Sequence, residues 1–383
     1  MRTLIITEDA KEQALEGKKI VSERPDKYNL LSRRTQYIKK AISENLTNAS
    51  EEEIDEMFFR SVYYYWAYGA SINEIFEYRF SQMSHAEIKE YVTFREVYVY
   101  LKYLNRPTIS RIFSDKYETY LRFKPFYKRD IIRINSEEDK ARFLAFTEKH
   151  PVFVVKPIDM EVGAGIHKVS VEGMSPEEKQ SLFYELLEQG NSIVNELLRG
   201  SRKGLILEEL ICQAPELAVF HPNSVNTVRI TMVRGADGKM HSVYPRILFG
   251  IGSQFTSNLG GGGIIVLIDN DTGKLNRIGH TSHNEYDRHP DSQIIFSDFT
   301  IPHWEELKKF ALQLSETMPE LGYCGWDFAL TENGWVIVEG NHDAFFSWQF
   351  SLKRGTKKEF EELIGHKLEK EFWWQEASIF NML

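Results

Sequence analysis

Between residues 30 and 110, apolar side chains recur at helical spacing, as in Ile54, Met57, Phe58 and Val62, without strand alternation. The pattern predicts a helical N-terminal region whose Tyr63, Tyr64, Tyr65, Trp66 and Tyr68 serve as packing rather than as a stacking platform. A helix over Ile88–Leu104 ends at Asn105-Arg106-Pro107, where the proline stops it and opens a new unit. Beyond that point the pattern predicts a helix at Asp115–Arg122, a strand at Ile131–Ile134, a helix at Glu137–Glu148 and a strand at Val152–Val155. Strands follow at Gly204–Leu210, Thr227–Arg234, Met240–Phe249, Gly262–Ile268, Asp327–Leu330 and Trp335–Val338. Turn signals at Ala236-Asp237-Gly238 and Asn270-Asp271-Thr272-Gly273 separate several of them, which reads as an antiparallel sheet with helices packed on it. A final helix over Lys357–Trp374 gathers Phe360, Leu363, Ile364, Leu368, Phe372 and Trp373 near one face and docks on the body.

Composition narrows the class. With 383 residues, 42% hydrophobic and 13% aromatic, the chain has enough apolar surface for two or three subdomains, and its size favours an enzyme over a small binding module. Its 56 acidic against 47 basic side chains give a net charge of -9, so nucleic acid is not an expected partner. Cys212 and Cys324 have no metal-ligand spacing and are expected as small buried thiols of a reducing compartment. The start is too weakly apolar for a signal peptide and no stretch reaches membrane-spanning length, so the expected location is cytoplasmic.

The candidate chemistry is concentrated in Asp327-Phe328-Ala329-Leu330, a turn, and Trp335-Val336-Ile337-Val338-Glu339-Gly340-Asn341. Strand periodicity puts Glu339 and Asn341 on one face. A three-residue turn, Glu332-Asn333-Gly334, sets Asp327 across from Glu339, whereas a two-residue Asn333-Gly334 turn sends its carboxylate to the other face. Such an oxygen cluster suits magnesium, and the ordinary alternative is acidic residues solvating a hairpin edge. Upstream, a buried-looking strand ends in Lys156, and Glu161-Val162-Gly163-Ala164-Gly165 forms a small-residue loop whose amides could approach phosphate, or simply a hairpin turn; it lacks the Lys-Ser/Thr and helix of a Walker loop. Glu208-Glu209-Leu210-Ile211 ends an apolar strand that can offer main-chain groups to an adenine, with Glu216 beyond it for ribose hydroxyls. Arg229 sits on a strand, either in an ion pair or beside a phosphate. His280, His283 and His289 have irregular spacing for a metal and read as loop histidines.

Taken in order, these pieces resemble an ATP-grasp enzyme over roughly residues 110 to 350. They are most similar to the sugar-transfer-associated branch related to alpha-L-glutamate ligases. The resemblance rests on Asp115-Lys116, Val155-Lys156-Pro157, the Gly163 loop, Glu208-Glu209-Leu210-Ile211, Asn226-Thr227-Val228-Arg229, Asn258 with Gly261-Gly262-Gly263, and Asp327 with Glu339-Gly340-Asn341. It implies an α+β ATP-grasp fold, two lobes clasping ATP, with a helical region over 1–110, a first lobe with the glycine loop over 111–203, a second lobe with the metal site over 204–350 and a helical tail over 351–383. Lys116, Lys156, Gly163, Ala164, Gly165, Glu208, Glu209, Leu210, Ile211 and Glu216 would then bind nucleotide, and Asp327, Glu339 and Asn341 would hold magnesium, two ions in all. Arg229 would lie near the transferred phosphate, assisted by Arg246, and Asn258, Gly261 and Gly262 would form the acceptor side. The implied reaction activates a small-molecule or sugar-linked carboxylate as an acyl phosphate for an amine. A kinase-like transfer and a non-catalytic scaffold of polysaccharide assembly are the alternatives. Many relatives carry Asn, a residue and another Asn after the metal strand. Here Glu339-Gly340-Asn341-His342-Asp343 stands instead, with Asp343 read as capping a turn.

Overall fold

The computed structural model describes residues 6–23, 32–159, 165–192, 204–253, 262–282 and 284–367. The chain divides into two compact units: residues 1–103 with 235–239 and 345–383, and residues 104–234 with 240–344.

The first unit is helical, with α1 (Ala10–Ser22), α2 (Ser32–Asn45), α3 (Glu51–Tyr68), α4 (Ile72–Glu77), α5 (His85–Ile88) and α6 (Phe94–Leu104). Three Ser-x-x-Glu boxes start its helices, at Ser50/Glu53, Ser71/Glu74 and Ser84/Glu87, each satisfying two orphan amides reciprocally. The expected single helix at Ile88–Leu104 is two pieces, because α5 is one turn and α6 begins afresh at Phe94. Thr93 before it donates its amide to Glu96 and its hydroxyl to the Tyr68 carbonyl. The Tyr63–Tyr68 aromatics are buried in this core.

Two helices from the far end of the chain complete the unit, here α13 (Trp348–Leu352) and α14 (Lys357–Ile364). Gln349 bonds both the amide and the carbonyl of Val92, and Lys357 pairs with buried Glu96. The tail helix is shorter than its apolar pattern predicts. Gly365 takes the left-handed conformation and donates its amide to the Glu361 carbonyl, which ends α14 at Ile364. Leu368, Phe372 and Trp373 lie outside the described residues.

The second unit carries two antiparallel sheets. Its helices are α7 (Pro107–Phe113), α8 (Lys116–Tyr127), α9 (Lys140–Lys149), α10 (Pro176–Ser192), α11 (Pro215–Ala218) and α12 (Trp304–Glu316). Pro107 fills the first position of α7, where its missing amide costs nothing.

The smaller sheet has the order β1 (Ile131–Ile134), β4 (Leu205–Glu209), β2 (Val152–Pro157), β3 (His167–Ser170). Alternation sends Ile134, Phe153, Val155, Leu205 and Leu207 onto α9 and α10, into a core with Phe143, Phe146, Phe183 and Leu186. Ile131, Ile206, Glu208 and Lys156 therefore emerge on the opposite face.

The larger sheet has the order β11 (Gly334–Asn341), β10 (Tyr323–Thr331), β5 (Thr227–Arg234), β6 (Met240–Phe249), β7 (Ile264–Ile268), β8 (Leu275–His280), β9 (Glu285–Tyr286). Val228, Ile230, Ile247, Trp326, Phe328 and Ile337 share one core with Leu307, Ala311 and Leu314 of α12, and the alternating positions point the other way. Tyr120, Phe123 and Tyr127 of α8 join this core together with Ile131 and Ile206 of the smaller sheet. Among the described residues, no helix is long and apolar enough to cross a membrane.

Candidate functional site

One row of charge crosses the larger sheet. Glu339 of β11 stands opposite Asp327 of β10, Asp327 opposite Arg229 of β5, and Arg229 opposite Arg246 of β6. Directly opposed residues share a face, so two carboxylates and two guanidinium groups lie side by side on the face turned away from α12. Arg229 donates through Nε and Nη2 to the two Asp327 oxygens, both at 2.5 Å, a two-pronged charge-assisted pair. Asn341 joins the row's end, its amide nitrogen 3.4 Å from both Asp327 Oδ2 and Glu339 Oε1.

The register arises from neither the three-residue Glu332-Asn333-Gly334 turn nor the two-residue Asn333-Gly334 turn. The turn holds only Glu332 and Asn333, with Thr331 paired to Gly334 and Gly334 at φ +86°. The missing residue is regained further along. Phe328 pairs with Ile337 but Asp327 with Glu339, so Val338 is an extra residue, a β-bulge. Without it Glu339 would follow Ile337 onto the apolar face, two residues on. With it, Gly340 takes that side instead, where an added Cβ would lie 2.5 Å from the Trp326 ring and 2.7 Å from Phe113. A glycine is what this position can hold.

Electrostatics separates the two arginines. Burial would lower the Arg229 pKa, but Asp327 and Glu339 outweigh it and raise it. Arg246 is wholly buried, and burial with the neighbouring Arg229 charge lowers it to about 9. Its Nη1 donates to Thr231 Oγ1 and the Tyr244 carbonyl, both at 3.2 Å. Tyr244 sits at φ +43° beside a second register shift, between Arg229 and Thr231.

On the smaller sheet, Lys156 Nζ donates to Glu208 Oε2 at 3.0 Å, and Arg129 Nη2 donates to the same oxygen at 2.8 Å. Burial alone would raise the Glu208 pKa. Lys156 and Arg129 together bring it down to about 2. The Glu208 side chain is thus committed to two cations. Lys116 opens α8, where Asp115 caps the helix by accepting from the amides of Tyr117 and Glu118. The Lys116 amide bonds the Ile158 carbonyl, two residues beyond Lys156, which ties the two lysine-bearing segments together.

Other expected residues fall as follows. Glu209 ends β4, Leu210 and Ile211 follow it, and Glu216 is exposed on α11. Gly165 and Gly262 have φ +73° and +92°, whereas Gly163, Ala164, Asn258 and Gly261 lie outside the described residues. Of the three histidines read as loop residues, His280 lies in a strand and His289 lies in a loop. His280 ends β8 and is buried, and His289 is buried with Nε2 2.8 Å from the Gly250 carbonyl; His283 lies outside the described residues. Cys324 is buried but Cys212 is exposed, because it follows β4 outside the sheet. Asp343 Oδ1 lies 3.7 Å from His342 Nδ1.

Two features escaped the sequence. Arg129 is one. The other is a cluster of Asp130, His150 and Glu209, whose ligand atoms lie within 4.8 Å of one another, with Lys149 also bonded to Asp130. These partners hold the Asp130 carboxyl below its usual range, Lys149 first and His150 second.

The donor set of Asp327, Glu339 and Asn341 is oxygen-rich, without thiol or imidazole, once the Asn341 amide presents its oxygen, an orientation fixed only by its bonding partners. That chemistry fits a hard divalent cation such as magnesium. The family model described as sugar-transfer associated ATP-grasp matches residues 97–363. No curated protein matches the chain. Among solved structures, it is similar to the ATP-grasp ligase PsnB complexed with minimal precursor, at 11% identity and TM-score 0.37, over 66% of this chain and 58% of that one. It is similar to D-alanine–D-alanine ligase from Bacillus anthracis complexed with ATP, at 14% identity and TM-score 0.36, over 62% and 57%. A third is N5-carboxyaminoimidazole synthetase from Staphylococcus aureus complexed with ADP, at 12% identity and TM-score 0.42, over 70% and 56%. The chain thus spans 56–58% of the length of these three.

Proposed function

Because this chain belongs to the sugar-transfer associated ATP-grasp family and has its two α+β lobes, we propose that it is an ATP-dependent ligase joining a carboxylate to an amine. The observation that carries the reading is the row Glu339, Asp327, Arg229, Arg246. Anions able to hold a cation stand beside cations able to neutralise phosphate, which is what in-line phosphoryl transfer requires.

In this reading Lys116 and Lys156 bind the phosphates, the main chain of Glu208–Ile211 meets the adenine, and Glu216 meets the ribose. Gly163, Ala164 and Gly165 present amides to phosphate oxygens. Asp327, Glu339 and Asn341 would hold magnesium, which when bound supplies charge neutralisation on the phosphate oxygens. A carboxylate oxygen of the acceptor attacks the γ-phosphorus, the bond from that phosphorus to the bridging oxygen breaks, and ADP leaves with its electron pair. The amine nitrogen then attacks the acyl carbon of the resulting acyl phosphate, inorganic phosphate departs, and the nitrogen loses a proton. No protein nucleophile enters. Arg229 faces the transferring phosphoryl group, and Arg246, still protonated at neutral pH, acts through its placement beside Arg229 and Thr231. Asn258, Gly261 and Gly262 are assigned to the acceptor side, and the acceptor we favour is a sugar-linked carboxylate met in the cytoplasm, a choice supported only by the association with sugar transfer in the family description.

The test is ADP release over paired carboxylates and amines, with mass spectrometry of the product. Glu339→Gln is expected to keep the fold and lower turnover by on the order of 10²-fold or more; Asp327→Asn should do the same while also loosening Arg229. Unchanged turnover in both removes the metal assignment. A stable phosphorylated acceptor with no amine requirement would replace the ligase reading with phosphoryl transfer alone.

A further inference from the structure

We propose that Arg129 is a positioning residue that couples the nucleotide lysine to the carboxylate hairpin, by holding Glu208 through Nη2 and the carbonyls of Ile337 and Val338 through Nη1 and Nη2. The proposal rests on the ligase reading of the site and assigns a role to a residue that contacts neither nucleotide nor acceptor in that reading.

The observations meet in one side chain. Arg129 lies just before β1, and its side chain is 5% exposed. Its Nη2 donates to Glu208 Oε2 at 2.8 Å, the oxygen that also accepts from Lys156 at 3.0 Å. Its Nη1 donates to the Ile337 carbonyl, and Nη2 also reaches the Val338 carbonyl at 3.2 Å. The Tyr127 ring packs on the guanidinium, 4.8 Å from centroid to carbon. Ile337 is the last residue of β11 in register with β10 before the shift, and Val338 is the extra residue.

An inserted residue interrupts ladder bonding, and a buried carbonyl left without a donor is costly. Arg129 supplies donors at that interruption. The bulge in turn decides which face Glu339 and Asn341 occupy, since a straight ladder would send Glu339 against Trp326 and Phe328. The buried Glu208 carboxylate accepts from two cations on one oxygen, so Lys156 is one of its two charged partners rather than the only one. One guanidinium thereby sets the position of Lys156 on the smaller sheet and of the carboxylates on the larger. Only a planar fork of several donors can do both, which a lysine cannot reproduce.

The experiment titrates the full-length protein with ATP at fixed Mg²⁺, and with Mg²⁺ at fixed ATP, following binding by calorimetry for wild type, Arg129→Met, Arg129→Lys, Glu208→Gln and the Arg129→Met/Glu208→Gln double variant. Arg129→Met is expected to weaken ATP binding by on the order of 10²-fold, the scale of breaking a buried pair, and to raise the Mg²⁺ needed for half-saturation. Arg129→Lys, which keeps the charge beside Glu208 but loses the reach to the bulge, is expected to hold ATP within about tenfold of wild type while still raising the Mg²⁺ requirement. The double variant should be no weaker than the worse single, as for groups acting as one unit. A merely structural arginine would lower the melting temperature and the folded fraction with affinities unchanged. Should Arg129→Met fail to fold, Arg129→Lys decides. Wild-type ATP and Mg²⁺ dependence in the folded variants overturns the coupling alone, whereas a wild-type protein that binds no Mg-ATP overturns the ligase reading and the coupling with it.

Discussion

At the scale of single residues, Glu208 is a buried carboxylate held by two cations. Its pKa of about 2 lies below the ordinary 4.5, so its ionic contribution is complete above pH 4.5 and is lost as pH falls toward 2. The shift corresponds to about 3 kcal/mol by linkage. Denaturant midpoints measured from pH 7 to pH 2 should fall more steeply in wild type than in Glu208→Gln over the acid end of that window. The variant should already be less stable at pH 7, since it leaves Lys156 and Arg129 buried against a neutral amide. Equal pH slopes for the two proteins would show that the carboxylate is not ionised against its partners. Arg129, by contrast, was illegible: a lone arginine before a strand has no spacing signature when its carbonyl partners lie 208 and 209 residues away.

At the scale of elements, the strands nearest the candidate site were the most legible. The runs Thr227–Arg234 and Met240–Phe249 coincide with β5 and β6, because β-branched and apolar residues fill both between turn signals. β8 was missed, since Leu275-Asn276-Arg277-Ile278-Gly279-His280 breaks alternation with a glycine, and that glycine is set by a close approach to Ile264, Phe296 and Val266 that no local pattern records. Neither of the two turns open from the sequence is the one formed, and the bulge was not foreseen; the shorter Glu332-Asn333 turn and the extra Val338 offset one another and leave Asp327 facing Glu339. This arrangement makes Gly340 sensitive. Gly340→Ala should cost about 1–3 kcal/mol of stability by overpacking against Trp326 and Phe113, read as a lower urea midpoint with an unchanged slope. A neutral result would mean that the hairpin shifts easily, and with it the carboxylates.

At the scale of the whole molecule, the helical unit is not a detachable N-terminal piece. Residues 345–364 bring Phe346, Trp348 and Phe360 under cover, Phe350 packs against the Tyr63–Tyr68 core, and Tyr100 donates to Glu361. Deleting residues 1–103 therefore strips these side chains of their partners, and the shortened protein is expected to aggregate or to lose cooperative melting, even though the segment carries none of the proposed catalytic groups. A soluble, sharply melting deletion variant, checked by size-exclusion chromatography and calorimetry, would show that the second unit stands alone.

That discontinuity also sets a timetable for synthesis. About 240 residues separate the two main parts of the helical unit in the chain. At ribosomal speeds of about 5–20 residues per second, its opening helices emerge about 10–50 s before the segment that covers them. For that interval Val92, Glu96 and Tyr100 stand without the Gln349, Lys357 and Glu361 partners that the late segment brings, so this seam of the unit is the last to close.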